Sequence, residues 1–324
     1  MLGATGTIGQ ATVRALVSSG HDVVCLVRAR TAAGNTAAGN TAIAGPLDGA
    51  ELRVGDVTNA ASISLDGFRG ERFDAVVSCL ASRTGAPQDA WAIDHQAHVH
   101  ALKAARIAGV SQFVLLSAIC VQKPLLAFQH AKLAFEKVLI DGRMTYSIVR
   151  PTAYFKSLSG QIERVKQGKS FLVFGDGRLT ACKPISDRDL ANYLVRCLDD
   201  VTLHNRVLPI GGPGNAITPR EQGEKLFELF KRTPKFKHVP VGMLDGIVAG
   251  LSTLGRVVPA LARKAELARI GRYYATESML VLNSATGCYD ADATPSTGSD
   301  TLFEYYANVA NGGAVADRGE HAVF

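Results

Sequence analysis

Three glycines at positions 3, 6 and 9, in the run Met1-Leu2-Gly3-Ala4-Thr5-Gly6-Thr7-Ile8-Gly9, constrain this chain more than any other feature. Glycines at that spacing permit a tight turn, a bare stretch of backbone and a close helix–sheet contact. Ile8, Ala11, Ala15 and Leu16 recur at helical spacing, and Gly20 predicts where that helix stops. The free amides and the positive dipole end of such a helix face an anion. A β-branched run, Asp22–Val27, follows and predicts a buried strand; Arg28 and Arg30 come directly after it.

A glycine turn that opens a helix and leads to a strand and an arginine is the arrangement that grips a dinucleotide pyrophosphate, although the spacing here is GxxGxxG rather than GxGxxG. Gly3 serves the turn, Gly6 the approach of the phosphates and Gly9 the packing of helix on sheet, with the backbone of Thr5, Thr7 and Ile8 completing the grip. Arg28 stands where an acid would hold the ribose 2′-hydroxyl of NAD; a guanidinium suits the 2′-phosphate of NADP, so the expected cofactor is NADPH. Asp56 and Val57 end a later strand and are placed to contact adenine, while Ser82 and Arg83 line the nicotinamide side. Only Met1 and Leu2 precede the turn, where a central strand is expected. The natural chain is therefore expected to begin upstream, and expression with the upstream codons to improve solubility and cofactor affinity.

Further strands are predicted at Leu52–Val57, Phe73–Leu80, Gln112–Ser117 and Tyr146–Arg150, with helices at Ala90–Ala108 and Phe128–Ile140. This alternation implies an α/β fold, a Rossmann-type doubly wound parallel sheet. The expected division is a dinucleotide-binding domain over 1–155 and a smaller substrate region over 156–324. In the latter, Phe171–Cys182 reads as a hairpin around Gly175-Asp176-Gly177, Asp187–Leu198 as a helix and Val207–Ile210 as a strand. Thr218, Pro219 and Glu221 form a capping-box signature. Residues 31–45 repeat TAAGN, TAAGN, TAIAG and read as a surface loop.

The 324 residues carry net charge +6 with basic residues scattered, which argues against nucleic acid and suits an anionic small molecule. A mean hydropathy of +0.11 fits an apolar substrate, a membrane surface or a well-filled core equally. Within the apolar stretch Val239–Ala262, Asp245, Arg256 and several glycines argue against a membrane span and for a helix in the core or at a surface. The six cysteines show no CxxC and read as reduced thiols, the pattern of a cytoplasmic chain that is at most membrane-peripheral. No zinc-ligand spacing is present.

Gly3–Gly9, Asp56-Val57, the strand ending in Ser117, the helix bearing Lys132 and Ile148-Val149-Arg150-Pro151 resemble, in order, the extended and atypical short-chain dehydrogenases. That superfamily pairs Tyr-x-x-x-Lys; Lys132 fits the lysine, but the tyrosine position holds Phe128, which cannot move a proton. Phe171–Gly177, Lys183–Asp187, Tyr273–Leu280, Tyr289–Pro295, Gln129–Lys132 and Arg150–Thr152 resemble a narrower family, the 3,8-divinyl chlorophyllide 8-vinyl reductases. The resemblance implies NADPH-dependent reduction of a vinyl group on a tetrapyrrole to ethyl, in chlorophyll or bacteriochlorophyll synthesis. It implies Lys132 as the holder of the nicotinamide ribose and magnesium arriving inside the substrate. Tyr154, His130, Tyr274 and solvent are candidate proton sources, and Ser117 a candidate for orienting substrate or cofactor. Arg178 and Lys183 could meet the pigment's propionate. Two alternatives stand beside this reading: a non-catalytic NADP-binding sensor or scaffold, which Phe128 favours, and a reductase of another conjugated molecule such as an isoflavonoid-type enone.

Overall fold

The computed structural model describes residues 1–28, 47–255 and 259–315; Arg30 and the repeat at 31–45 lie outside them. Six parallel strands make the main sheet: β1 (Val24–Val27), β2 (Glu51–Val54), β3 (Ala75–Ser78), β4 (Gln112–Leu116), β5 (Thr145–Pro151) and, after the short strand β6 (Phe171–Phe174), β7 (Arg206–Ile210). β2 pairs with β1, and β3, β4, β5 and β7 pair in that order. Leu2 joins the two groups through parallel bridges to Leu26 and to Ser78. Its amide donates to Val77 O at 2.9 Å and its carbonyl accepts from Cys79 N at 2.9 Å. Met1 and Leu2 thus occupy the middle of the sheet.

Period-two alternation packs both faces of this sheet. Phe113, Leu115 and Ile148 face α2 (His98–Ile107) and α3 (Ala127–Ile140), meeting Ala101, Leu102, Phe135 and Leu139. Val114, Leu116 and Val149 face α1 (Thr7–Ser18) and α6 (Asp187–Asp199), meeting Ile8, Leu190 and Leu194. Between these helices in the chain lie two short ones, α4 (Phe155–Leu158) and α5 (Ile162–Lys166). A fully buried strand must be apolar on both faces, which is why Gln112–Leu116 reads as a near-continuous hydrophobic run.

Residue 155 is not a clean divide, because α6 and β7 return from the later half to complete the sheet. A second core gathers Phe155, Ile162, Phe171, Val173, Leu226, Phe227 and Tyr306 from β6, α7 (Pro219–Leu229) and α10 (Leu302–Ala310). The expected hairpin over Phe171–Cys182 does not form. β6 pairs in parallel with β8 (Phe236–Val239) instead, and Cys182 bridges Ile217 and Met279. The cause is burial: Phe171 stacks edge-on with Phe236, an aromatic contact that a local hairpin partner could not supply. The capping box forms as expected, with Thr218 N donating to Glu221 Oε2 at 2.7 Å. α8 (Val241–Gly255) and α9 (Pro259–Thr276) pack on one another as a helical hairpin at the surface.

Candidate active site

The glycine turn lies at the carboxyl edge of the sheet. Gly3 adopts φ +72°, and a Cβ there would stand 2.5 Å from the carbonyl carbon of Cys79. A Cβ on Gly9 would stand 2.0 Å from Gly3 O. Both positions therefore exclude any side chain. Gly6 differs: its added Cβ would meet Gly3 O at an ordinary 3.5 Å, so internal packing does not demand glycine there. Gly6 caps α1 without a side-chain bond, and the first turn holds no acid, so the helix presents uncompensated amides at Thr7 and beyond. Thr5 is exposed, while the Ile8 side chain is buried in the core and offers the site only its backbone. This bare, positive cradle fits a diphosphate.

Arg28 is exposed just past β1, close enough to Asp56 to help hold that carboxyl below the usual range. The main cause is Thr58, whose hydroxyl and amide donate to Asp56 Oδ1 at 2.7 and 2.8 Å. Val57 is buried in the core beside Leu26 and Ile63, so its side chain is committed to packing.

On the other side, Lys132 Nζ lies 2.9 Å from Asp94 Oδ1, with Asp94 fully buried. Asp94 sits on a π-helical turn, Trp91–Ala97, that leads into α2; such turns reorient single side chains. The same carboxylate oxygen accepts from Ser82 N at 3.3 Å, so Asp94 joins the loop after β3 to the lysine of α3. Among the described residues its Oδ2 has no hydrogen-bond partner. The sequence carried no signal for Asp94, because one acid on a helix looks like a solvated face.

Phe128 packs against a cluster containing Ile119, Cys120, Leu126 and Tyr273. The hydroxyls that approach this region come from elsewhere. Burial, aided by Cys79 and Cys120, raises the pKa of Tyr154. Burial likewise pushes the Cys79 thiol up to about 12. Tyr274 exposes 39% of its surface yet turns its hydroxyl inward, 3.9 Å from Cys120 Sγ, and desolvation raises its pKa strongly. Tyr273 is structural, donating to Cys120 O at 2.9 Å. His130 is exposed on α3. Ser117 is spent elsewhere: its hydroxyl donates to Glu136 Oε1 at 2.5 Å, and Glu136 is ion-paired with Arg150, a buried strut between α3 and the sheet. Lys183 is also a strut, donating to Thr294 O at 3.0 Å, and Arg178 is exposed. The late motifs thus lock the chain around 289–300 onto the sheet edge, where Gly211 N donates to Pro295 O at 2.8 Å and Asp189 accepts from Ser299 and Asp300 amides. Among the described residues, no group of three or more His, Cys, Asp or Glu side chains is placed to hold a metal.

Residues 3–201 match the NAD(P)H-binding family. Over 328 aligned residues the chain is 48% identical to the chloroplastic divinyl chlorophyllide a 8-vinyl-reductase of Oryza sativa subsp. indica, covering 99% of this chain and 81% of that protein. The chain belongs to the divinyl chlorophyllide a 8-vinyl-reductase family. The match runs through both halves of the chain. A more distant relative, the photosystem II assembly factor Ycf39 of Synechocystis, is 26% identical over 65% of this chain and 61% of its own length. Among solved structures, the NADPH complex of the quinone oxidoreductase QOR2 from Escherichia coli superposes with a TM-score of 0.66 at 18% identity, covering 95% of this chain and 98% of that one. That likeness bears on the fold alone.

Proposed function

We propose that this chain is an NADPH-dependent oxidoreductase that reduces the 8-vinyl group of divinyl chlorophyllide to ethyl. The observation that carries the reading is the near-full-length identity to the rice reductase, which includes the late stretches that a dinucleotide fold does not require. Phe128 is compatible with this chemistry. A vinyl group conjugated to a macrocycle needs no tyrosine to polarise a carbonyl, since the ring spreads the charge.

When bound, NADPH would supply the hydride, and one proton must be delivered to complete reduction of the vinyl group. The residues of the chain bind, orient and hold that proton. Gly3, Gly6 and Gly9, with the Thr5–Ile8 backbone, take the diphosphate, and Arg28 the 2′-phosphate. Asp56 flanks the adenosine and Ser82 the nicotinamide side. Lys132, held by Asp94, takes the nicotinamide ribose. Tyr154 stays protonated in its dry surroundings and is the candidate proton source, although burial makes it a weaker acid than a free tyrosine. Ser117 acts through the Glu136–Arg150 strut rather than on substrate.

The test is spectroscopic. Protein, NADPH and divinyl chlorophyllide should shift the blue absorption band to that of the monovinyl pigment, with NADH much less effective. An unchanged spectrum from protein that binds NADPH would favour the scaffold reading, which Phe128 and the Ycf39 relationship would then support.

We also infer that the chain touches an anionic lipid surface, where such a pigment would partition. Among the described residues no helix is long and apolar enough to cross a membrane. α8 nevertheless exposes Met243 (51%), Ile247 (42%) and Leu254 (58%) at helical spacing. Its one charged residue, Asp245, is paired with Arg272. Lys231, Arg232, Lys235 and Lys237 are exposed just ahead of it. An apolar helix face beside a basic segment is how a chain lies in a lipid interface.

A further inference from the structure

Lys156 is the second residue of α4, which leaves the sheet just past Tyr154. Its Nζ donates to Thr7 Oγ1 at 2.8 Å, across 149 residues of sequence. Thr7 is the first residue of α1, so this ammonium stands at the positive end of a helix whose first turn holds no acid. Cations are stabilised at helix C-termini and disfavoured here. Among the described residues no carboxylate forms an ion pair with Lys156, so no described side chain offsets the placement. An anion lying between the ammonium and the α1 amides would reverse the sign of every term.

We propose that Lys156 is a direct ligand of the cofactor diphosphate, reaching it from beside Thr7 at the start of α1. This rests on the assignment of the cradle at residues 3–9 to NADPH. The Thr7 hydroxyl holds the ammonium in place, and a non-bridging phosphate oxygen becomes its second acceptor. A charge-assisted bond of this kind contributes about 1.5–3 kcal/mol, or roughly a 10- to 100-fold change in affinity.

Binding measurements on the full chain test this with two probes, NADPH and adenosine 2′-monophosphate; the latter keeps the Arg28 phosphate and lacks the diphosphate. Lys156→Met should weaken NADPH roughly 10- to 100-fold and leave adenosine 2′-monophosphate unchanged. Lys156→Arg should restore most of the NADPH affinity, and Arg28→Ala should weaken both probes. Two results overturn the proposal: NADPH binding at the wild-type level in Lys156→Met, or equal losses for both probes, which would mark a defect of the fold. Unchanged NADPH binding with a raised KM for pigment also overturns it and assigns the lysine to substrate. Because the readout is binding, the proposal survives if vinyl reduction fails, and it falls with the cofactor assignment only if wild-type protein binds no NADPH.

Discussion

Lys132 and Asp94 form the pair on which the site's electrostatics turn. Removing one partner of a buried ion pair strands the other, which typically costs about 3–5 kcal/mol. Lys132→Met should therefore lose about 3 kcal/mol of stability and, if the ribose role holds, at least about 100-fold in kcat/KM. Adding Asp94→Asn to Lys132→Met removes the stranded charge and should recover most of the stability but none of the activity. Denaturant titration beside initial rates separates the two effects; full recovery of activity in the double variant would remove Lys132 from the chemistry. Lys132 was legible from its register after Phe128, because the family pattern is local to one helix. Asp94 and Lys156 were not, since each acquires meaning only from a partner 38 or 149 residues away.

At the scale of elements, local signals carried well where the physics is local. Gly3, Gly6 and Gly9 announce α1, Thr218 and Glu221 cap α7, and apolar alternation marks β4 and β5. The run at 171–182 misled because two glycines with positive φ, Gly175 and Gly177, mark a turn without naming the strand that follows. α8 gives the prediction proper to this scale. Burying two side chains such as Met243 and Ile247 in lipid contributes about 1.5–3 kcal/mol each. Wild-type protein should sediment with phosphatidylglycerol vesicles, less so as salt rises, and Met243→Ser with Ile247→Ser should weaken this at least about tenfold. Equal sedimentation of both proteins would remove α8 as the point of contact, and equal sedimentation of wild type with neutral phosphatidylcholine vesicles would remove the requirement for anionic lipid.

For the whole molecule, the sheet core sets how stability responds to acid. His98 is buried beneath β3, its Nε2 facing Ser78 Oγ at 2.9 Å and its Nδ1 facing Ile93 O at 3.0 Å. Burial, then the Lys132 charge, pulls its pKa from 6.5 down to about 4. Between those values the unfolded chain binds a proton that the folded chain refuses, so this contribution is intact above the unfolded pKa and is lost as pH falls towards the folded one. From pH 7 to pH 5 the loss should be about 2 kcal/mol. Urea midpoints at the two values measure it, and His98→Gln should flatten the difference. An unaltered slope in that variant would place the acid sensitivity elsewhere.

The sequence alone determined what depends on neighbours along the chain: the glycine cradle, the alternation of strands and helices, the arginine after β1 and the family motifs. Those features arise from backbone sterics and from periodicities of two and 3.6 residues, which act within a few positions. Only the tertiary structure decided which hydroxyls and charges meet. The π-helical turn brings Asp94 to Lys132, α4 carries Lys156 to Thr7, and α9 turns Tyr274 towards Cys120. Those contacts are set by how the two cores pack the ends of distant elements together, and pairing across such distances leaves no mark on either local stretch.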